Sequence, residues 1–204
     1  MKHPTTLFLA LALLVAYYVP TAFGLPIEAK YQAGSYEEAK SASSYIRFHM
    51  KSIAFGRIRT RFNGFVKDFS LSGSAKGKTV EKIALRFPVK ALDSNNALRD
   101  KRMRDFSLAA NRHPVIEVSV TEPVPVNGKV VQVPGQIRVR GKSHPITLTV
   151  AVMRIPGGYL IMGESALSMA ALDIPKPSLV VARVEDRVRI TFEVVVGYLT
   201  VGSR

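Results

Sequence analysis

The chain has 204 residues, 29 Lys plus Arg against 15 Asp plus Glu, a formal net charge of +14, and no cysteine. That length suits one domain with a leader. The missing cysteine excludes disulfides, thiolate metal sites and cysteine nucleophiles, while the charge favours anionic partners such as phospholipid head groups, diphosphates or nucleic acid.

Residues 1–24 have the three parts of a secretory signal. Lys2 and His3 give a basic start, Leu7 to Val19 is an apolar run short for a membrane span, and Ala22 and Gly24 occupy the two positions a signal peptidase inspects. This predicts an exported mature protein cleaved near Gly24, which argues against nucleic acid as the natural ligand. Leu25 to Ser44 mixes Gly, Ser, Ala, Glu and Lys with weak periodicity. Residues 25–41 are therefore read as an N-terminal tail, 42–198 as the domain, and 199–204 as a C-terminal tail.

Strand signals follow in series. Ile46, Phe48 and Met50 alternate with Arg47, His49 and Lys51; Ile58, Thr60 and Phe62 alternate with Arg57, Arg59 and Arg61. Phe65, Phe69 and Leu71 continue the apolar pattern, and Ile83, Leu85, Phe87 and Val89 alternate with polar neighbours. This period of two puts one face in an apolar interior and the other in water. Asn95 to Leu108 breaks the pattern as one helix-like segment crowded with charge, carrying Leu98, Met103 and Phe106 as apolar positions. Alternation resumes at Ile116, Val118 and Val120, then at Ile137 and Val139, at Ile146 to Val152, more weakly over Tyr159 to Leu167, and at length over Val188 to Val196. Gly141 to Pro145 reads as a turn and Leu172 to Pro177 as a Pro-rich link. About eight strands with one apolar face each must close on one another as a sandwich or a barrel, and long strands favour the barrel. A barrel of about eight strands can hold one small ligand.

Few motifs carry chemistry. Gly141-Lys142-Ser143 fails the phosphate-loop spacing, since the preceding Gly135 stands one residue too early, and it joins two strands. The histidines show no metal-binding spacing, so neither a metal nor another cofactor is expected. No G-x-S-x-G elbow occurs, and no catalytic residue is assigned. Arg57, Arg59 and Arg61 form a basic stripe on the outer face, either solvated or touching an anionic membrane. The charged helix is the remaining polar site. Asn96, Arg99 and Asp100 share one side of it, and a Lys101–Asp105 or Arg99–Asp105 ion pair is an equally good reading of its charges.

The order of elements, with FGRIRTRFNGFVKDFSLSG early and N-x-x-R-D, D-F and H-P-x-I in and after the helix, resembles the YceI-like family of bacterial periplasmic lipid-binding proteins. The resemblance runs from about Ala42 to Tyr198. It implies an all-β, lipocalin-like antiparallel barrel with one short helix near its mouth. It also implies a periplasmic location and an interior that holds an isoprenoid or other long apolar chain. Carried over by position, the pocket wall would include Phe48, Met50, Phe62, Phe65, Ile83, Leu85, Phe87 and Phe106, and the polar mouth Asn96, Arg99 and Asp100. The expected role is a carrier or sequestering protein and not an enzyme. Its partner would be a long-chain lipid with a quinone or a phosphorylated head. An anionic membrane surface is a further partner, nucleic acid is not one, and a homodimer is compatible with the sequence. Two competing readings are an envelope enzyme using Asp100 or Asp105 as acid or base, and a basic adaptor docked on anionic membrane.

Overall fold

The structure is a computed structural model that describes residues 24–179 and 182–198. The expected signal and C-terminal tail lie outside the described residues, apart from Gly24.

The elements run β1 (Leu25–Gln32), α1 (Tyr36–Ser41), β2 (Tyr45–Ala54), β3 (Ile58–Val66), β4 (Asp68–Lys76), β5 (Thr79–Pro88), β6 (Leu92–Asp93), α2 (Ala97–Arg102), β7 (Val115–Val120), β8 (Val124–Pro125), β9 (Val131–Val139), β10 (Lys142–Ile155), β11 (Gly158–Ser168), β12 (Ser178–Leu179) and β13 (Ala182–Tyr198). Eight of them close an antiparallel barrel in the order β1–β4–β5–β7–β9–β10–β11–β13, and β13 returns to β1 through Ile27–Tyr198 and Glu28–Gly197. Closure removes the unpaired sheet edges that one-sided strands would otherwise present.

β13 is longer than its contact with β1 requires. Its earlier part, from Ala182 to Glu193, pairs with β2. The β2–β3 hairpin thus widens the wall and runs on past it, since Phe55 to Thr60 are all exposed. β3 then descends, pairs with β6 through Phe65 and Val66, and continues through Lys67 into β4.

Leu25–Gln32, expected to be part of a tail, is a barrel strand registered over its whole length against β4. Ile27 is fully buried and Ala29 and Tyr31 pack on the core from the same face. With Ile27 as the one large aliphatic residue on its buried face and Leu25 exposed, the strand gives little alternation signal, and backbone pairing to β4 supplies the rest. The turn expected at Gly141–Pro145 is tighter: Arg140 and Gly141 both have positive φ between the paired residues Val139 and Lys142. This is the two-residue turn whose twist suits a hairpin, so Lys142 to Pro145 already belong to β10.

Antiparallel succession sorts the connections to two ends. The β4–β5 and β10–β11 turns lie at one end with Tyr198. The opposite end carries the β2–β3 tip, the α2 connection between β5 and β7, the β9–β10 turn and residues 169–177. At the first end the interior is filled: Ile27, Val80, Val124, Val152, Tyr159 and Val196 are among the most deeply buried residues. The hydroxyl of Tyr198 donates to that of Tyr159 at 3.1 Å across edge-to-face rings, and burial pushes the Tyr159 phenol pKa upward, with the bond to Tyr198 adding to it. At the second end the interior is hollow.

Candidate functional site

The hollow is a cavity of about 700 Å³, within the range of roughly 300–1,000 Å³ usual for ligand pockets. Phe48, Met50 and Phe62 line it from β2 and β3, and Ile83, Leu85 and Phe87 from β5. Ile116 and Val118 of β7, Ile137 and Val139 of β9, Leu148 and Val150 of β10, Ile161 of β11, and Ile190, Phe192 and Val194 of β13 complete the wall. The second-half residues stand on the alternating faces read from sequence, yet only the first half was carried over as a pocket wall. Closure makes the faces equivalent: every inward residue between the filled end and the mouth meets the same space.

Two glycines shape that wall. A Cβ at Gly64 would lie 2.0 Å from Phe48 Cζ, so the Phe48 ring lies flat over the bare backbone of its cross-strand partner. A Cβ at Gly163 would meet Thr149 O at 2.1 Å and Phe192 Cζ at 2.8 Å.

Three expected wall or mouth residues stand elsewhere. Phe62 and Gly64 face inward, so Phe65, three residues after Phe62, must face outward. There it is buried under Tyr36 of α1, ring centroids 5.2 Å apart, and beneath the Arg47 guanidinium. Asp100 is 6% exposed and faces the loop before its own helix. It accepts from the Ser94 amide at 3.0 Å and from the Ser94 hydroxyl at 2.5 Å. Phe106 is 56% exposed, on the outside. The expected helix over Asn95–Leu108 is α2 followed by a wider turn, Met103–Ser107, closed by Leu108 N–H donating to Met103 O. That widening shifts the face reached by later residues, so Met103 and Leu108 line the cavity and Phe106 does not.

Asn96 and Arg99 do reach the cavity. Asn96 caps α2, its side-chain oxygen accepting from Arg99 N–H at 2.9 Å. Arg99 Nε donates to Ser94 Oγ at 2.7 Å and Nη2 to Ser94 O at 2.6 Å, and its guanidinium lies 4.2 Å from the Phe62 ring centroid. Burial draws the Arg99 pKa below its ordinary value, opposed by the Asp100 charge; a guanidinium stays cationic under such a pull. The Ser94 hydroxyl thus joins Arg99 to Asp100, and five guanidinium N–H groups leave donors beyond these two bonds. Nearby, Asp93 meets Lys67 at 2.9 Å. Burial pushes the Asp93 carboxyl up, but hydrogen bonds from Lys67 and Asn95 N–H, with the Lys67 and Arg104 charges, outweigh it and hold the pKa below the usual value.

Sequence reading missed several mouth residues. Arg61, Arg102, Ser52 and Thr60 add polarity to the cavity's edge. Met169, Leu172, Ile174 and Pro177 cover it from the side opposite in sequence. That segment is pinned by Asp186, which accepts from Ser168 Oγ at 2.5 Å and Ala170 N–H at 3.0 Å and pairs with Lys176 at 3.2 Å. The signal was present in LDIPKP as apolar residues within a link, which a two-state reading of strand or loop discards.

Among the described residues, no group of three or more His, Asp and Glu gathers in metal-binding fashion. Neither Asp100 nor Asp105 lines the cavity; Asp105 pairs with Lys101 at 2.6 Å on the surface.

A family model described as a YceI-like domain matches residues 38–196. The chain belongs to the YceI-like family. It is 31% identical over 163 residues to a UPF0312 protein of Vibrio parahaemolyticus, covering 76% of this chain and 84% of that one. A UPF0312 protein of Pseudomonas aeruginosa is 29% identical over 107 residues, 52% of this chain and about half, 54%, of its relative. Among solved structures, Burkholderia cenocepacia BcnA aligns with TM-score 0.61 at 16% identity, over 80% of this chain and 99% of its own. A polyisoprenoid binding domain from Saccharophagus degradans, implicated in plant cell wall breakdown, aligns with TM-score 0.57 at 14% identity, over 86% and 99%. These neighbours share the YceI-like barrel, and the expected all-β closed barrel with a short helix is the observed fold.

Proposed function

We propose that this YceI-like barrel is a carrier or sequestering protein that holds an isoprenoid-like or other long-chain lipid in its hollow half. One observation carries the reading: an apolar cavity of about 700 Å³, closed at one end by packed side chains, opens at the other beneath a polar, cationic edge. A YceI-like neighbour that is a polyisoprenoid binding domain supports the same class of ligand. The tail would lie against Phe48, Met50, Phe62, Ile83, Leu85 and Phe87 and against the facing wall of Ile137, Leu148, Ile190 and Phe192. Asn96, Arg99, Arg61 and Arg102 would meet the head group. Phe65 and Asp100 would support the wall and the helix without touching ligand.

Each buried CH₂ contributes about 0.8 kcal/mol, so roughly fifteen carbons supply on the order of 12 kcal/mol gross. Association costs about 4–15 kcal/mol. Tail burial therefore gives modest affinity, and charge-assisted contacts at the mouth decide orientation and release. The two carboxylates considered as acid or base, Asp100 and Asp105, point away from the cavity, which supports burial over bond making.

The reading places the mature protein in the periplasm, as the N-terminal pattern of residues 1–24 suggests. Titrating delipidated protein with an isoprenoid alcohol of roughly fifteen carbons tests the binding reading. One-to-one binding with a negative heat-capacity change, unaltered by added salt, is the expected result. Absence of binding, or binding abolished by salt, would contradict it.

A further inference from the structure

The β2–β3 hairpin has features that a barrel wall does not need. From Ile46 to Lys67 the chain carries Arg47, Lys51, Arg57, Arg59, Arg61 and Lys67 with no carboxylate. Lys51 and Arg61 are directly opposed across the strands, an arrangement that costs stability unless an anion lies between or over them. Both are exposed, as are Arg57 and Arg59, and among the described residues none of the four forms an ion pair with a carboxylate. On the neighbouring strand, exposed Arg183 faces Ile53. The acidic groups near this end are occupied: Asp186 by Lys176, Asp105 by Lys101, Asp173 by Lys142, Asp93 by Lys67, and Asp100 by Ser94. Among the described residues Glu185 forms no ion pair, and it stands against Lys51, Arg57, Arg59, Arg61 and Arg183.

The tip adds exposed apolar surface. Phe55 is 68% exposed and Ile58 56%. Phe55 and Gly56 both have positive φ in a tight turn where Arg57 N–H donates to Ala54 O at 3.1 Å. Glycine or asparagine suits the Phe55 position on backbone grounds, and a bulky residue there is strained. The Phe55 ring, held in a left-handed conformation and left in water, adds nothing to the hydrophobic core. Across the mouth, Leu98 lines the cavity and is 61% exposed.

We infer that the mouth end docks on an anionic phospholipid surface, with Phe55 and Ile58 entering the interface and Lys51, Arg57, Arg59 and Arg183 meeting the head groups. Apolar side chains flanked by unpaired cations fit that surface and no other partner as well: Phe55 and Ile58 gain burial in the acyl boundary while the arginines stay at phosphate level. The inference deepens the carrier reading and rests on it, because docking this end sets the cavity opening against the bilayer. A long apolar chain then moves between membrane and barrel without crossing water.

The test uses the chain's lack of cysteine, which lets one introduced thiol report one position. Full-length Phe55→Cys and Val130→Cys proteins, the second probing an exposed residue at the filled end, are labelled with an environment-sensitive fluorophore. Each is mixed with vesicles of phosphatidylcholine alone or with phosphatidylglycerol added. The expected result is a blue shift at position 55 with phosphatidylglycerol, reversed by high salt, and none at position 130. Adding Arg57→Ser and Arg59→Ser to the Phe55→Cys protein should weaken the apparent affinity about fivefold per arginine. An unshifted label at position 55, an equal shift at both positions, or unchanged affinity in the arginine variant would overturn the docking surface. Lipid retention by the Phe55→Ser/Ile58→Ser protein separates the two readings. Retained lipid with lost docking supports both, whereas docking by a protein that holds no lipid sinks the carrier reading alone.

Discussion

The two ends of the barrel obey one alternation rule and reach opposite outcomes. At the filled end short β-branched residues, Val80, Val124, Val152 and Val196, meet Tyr159 and Ile27 and leave no room. At the hollow end longer side chains, Phe48, Phe87, Leu85 and Met103, stand around space. Size alone would predict the reverse. What differs is the supply of covering segments: the filled end receives β8 and the pairing of β1 with β13, while the β2–β3 hairpin pushes the other end wider. Binary patterning decides inward or outward; whether the inside is solid depends on what long-range closure brings over it.

The sharpest way to break the filled end is Gly158→Val. A Cβ there would sit 1.9 Å from Val196 O, a backbone atom that cannot step aside. Loss of a cooperative thermal transition, or destabilisation above about 4 kcal/mol, is expected by calorimetry. At the hollow end, Leu85→Trp with Ile190→Trp adds bulk where space exists. The melting temperature should stay within a few degrees while lipid retention falls at least about tenfold. A smaller contrast comes from truncation: Val152→Ala should cost about 2 kcal/mol and Val188→Ala, on the cavity wall, under about 1 kcal/mol, in chemical denaturation.

The mouth helix gives a finer probe. Ser94→Ala removes the acceptor of Arg99 Nε and one donor to Asp100 together, so a loss of about 1–2 kcal/mol is expected, with faster lipid release. The pH dependence follows from Asp93, whose folded pKa lies below its unfolded value. Its contribution is complete above the unfolded value of about 3.9 and disappears as pH falls through the lower folded value. Stability should thus be level from neutrality to about pH 5 and decline below about pH 4, and Asp93→Asn should flatten that acid limb.

Much of the fold was legible because alternation is long over Ile46–Met50, Ile83–Phe87, Ile146–Val152 and Val188–Val196. β1 escaped notice because Ala29 and Tyr31 are weak markers and its strand character comes from β4. Within the site, parity would have excluded Phe65 once Phe62 was placed inside, so that error was avoidable. Phe106 was not avoidable: the widened turn after α2 changes the helical face, and nothing in MRDFS announces it. The segment Met169–Pro177 escaped because it covers the mouth without regular structure, held by Asp186 from another strand.

A long-chain lipid held in the hollow end should travel with the protein through purification. Protein purified from its native cells under mild conditions, then denatured and extracted for mass spectrometry, provides the test. The expected result is a near-stoichiometric long-chain lipid from the wild type and little from the Leu85→Trp/Ile190→Trp protein. Barrels repeatedly free of lipid, or equal recovery from both proteins, would contradict it.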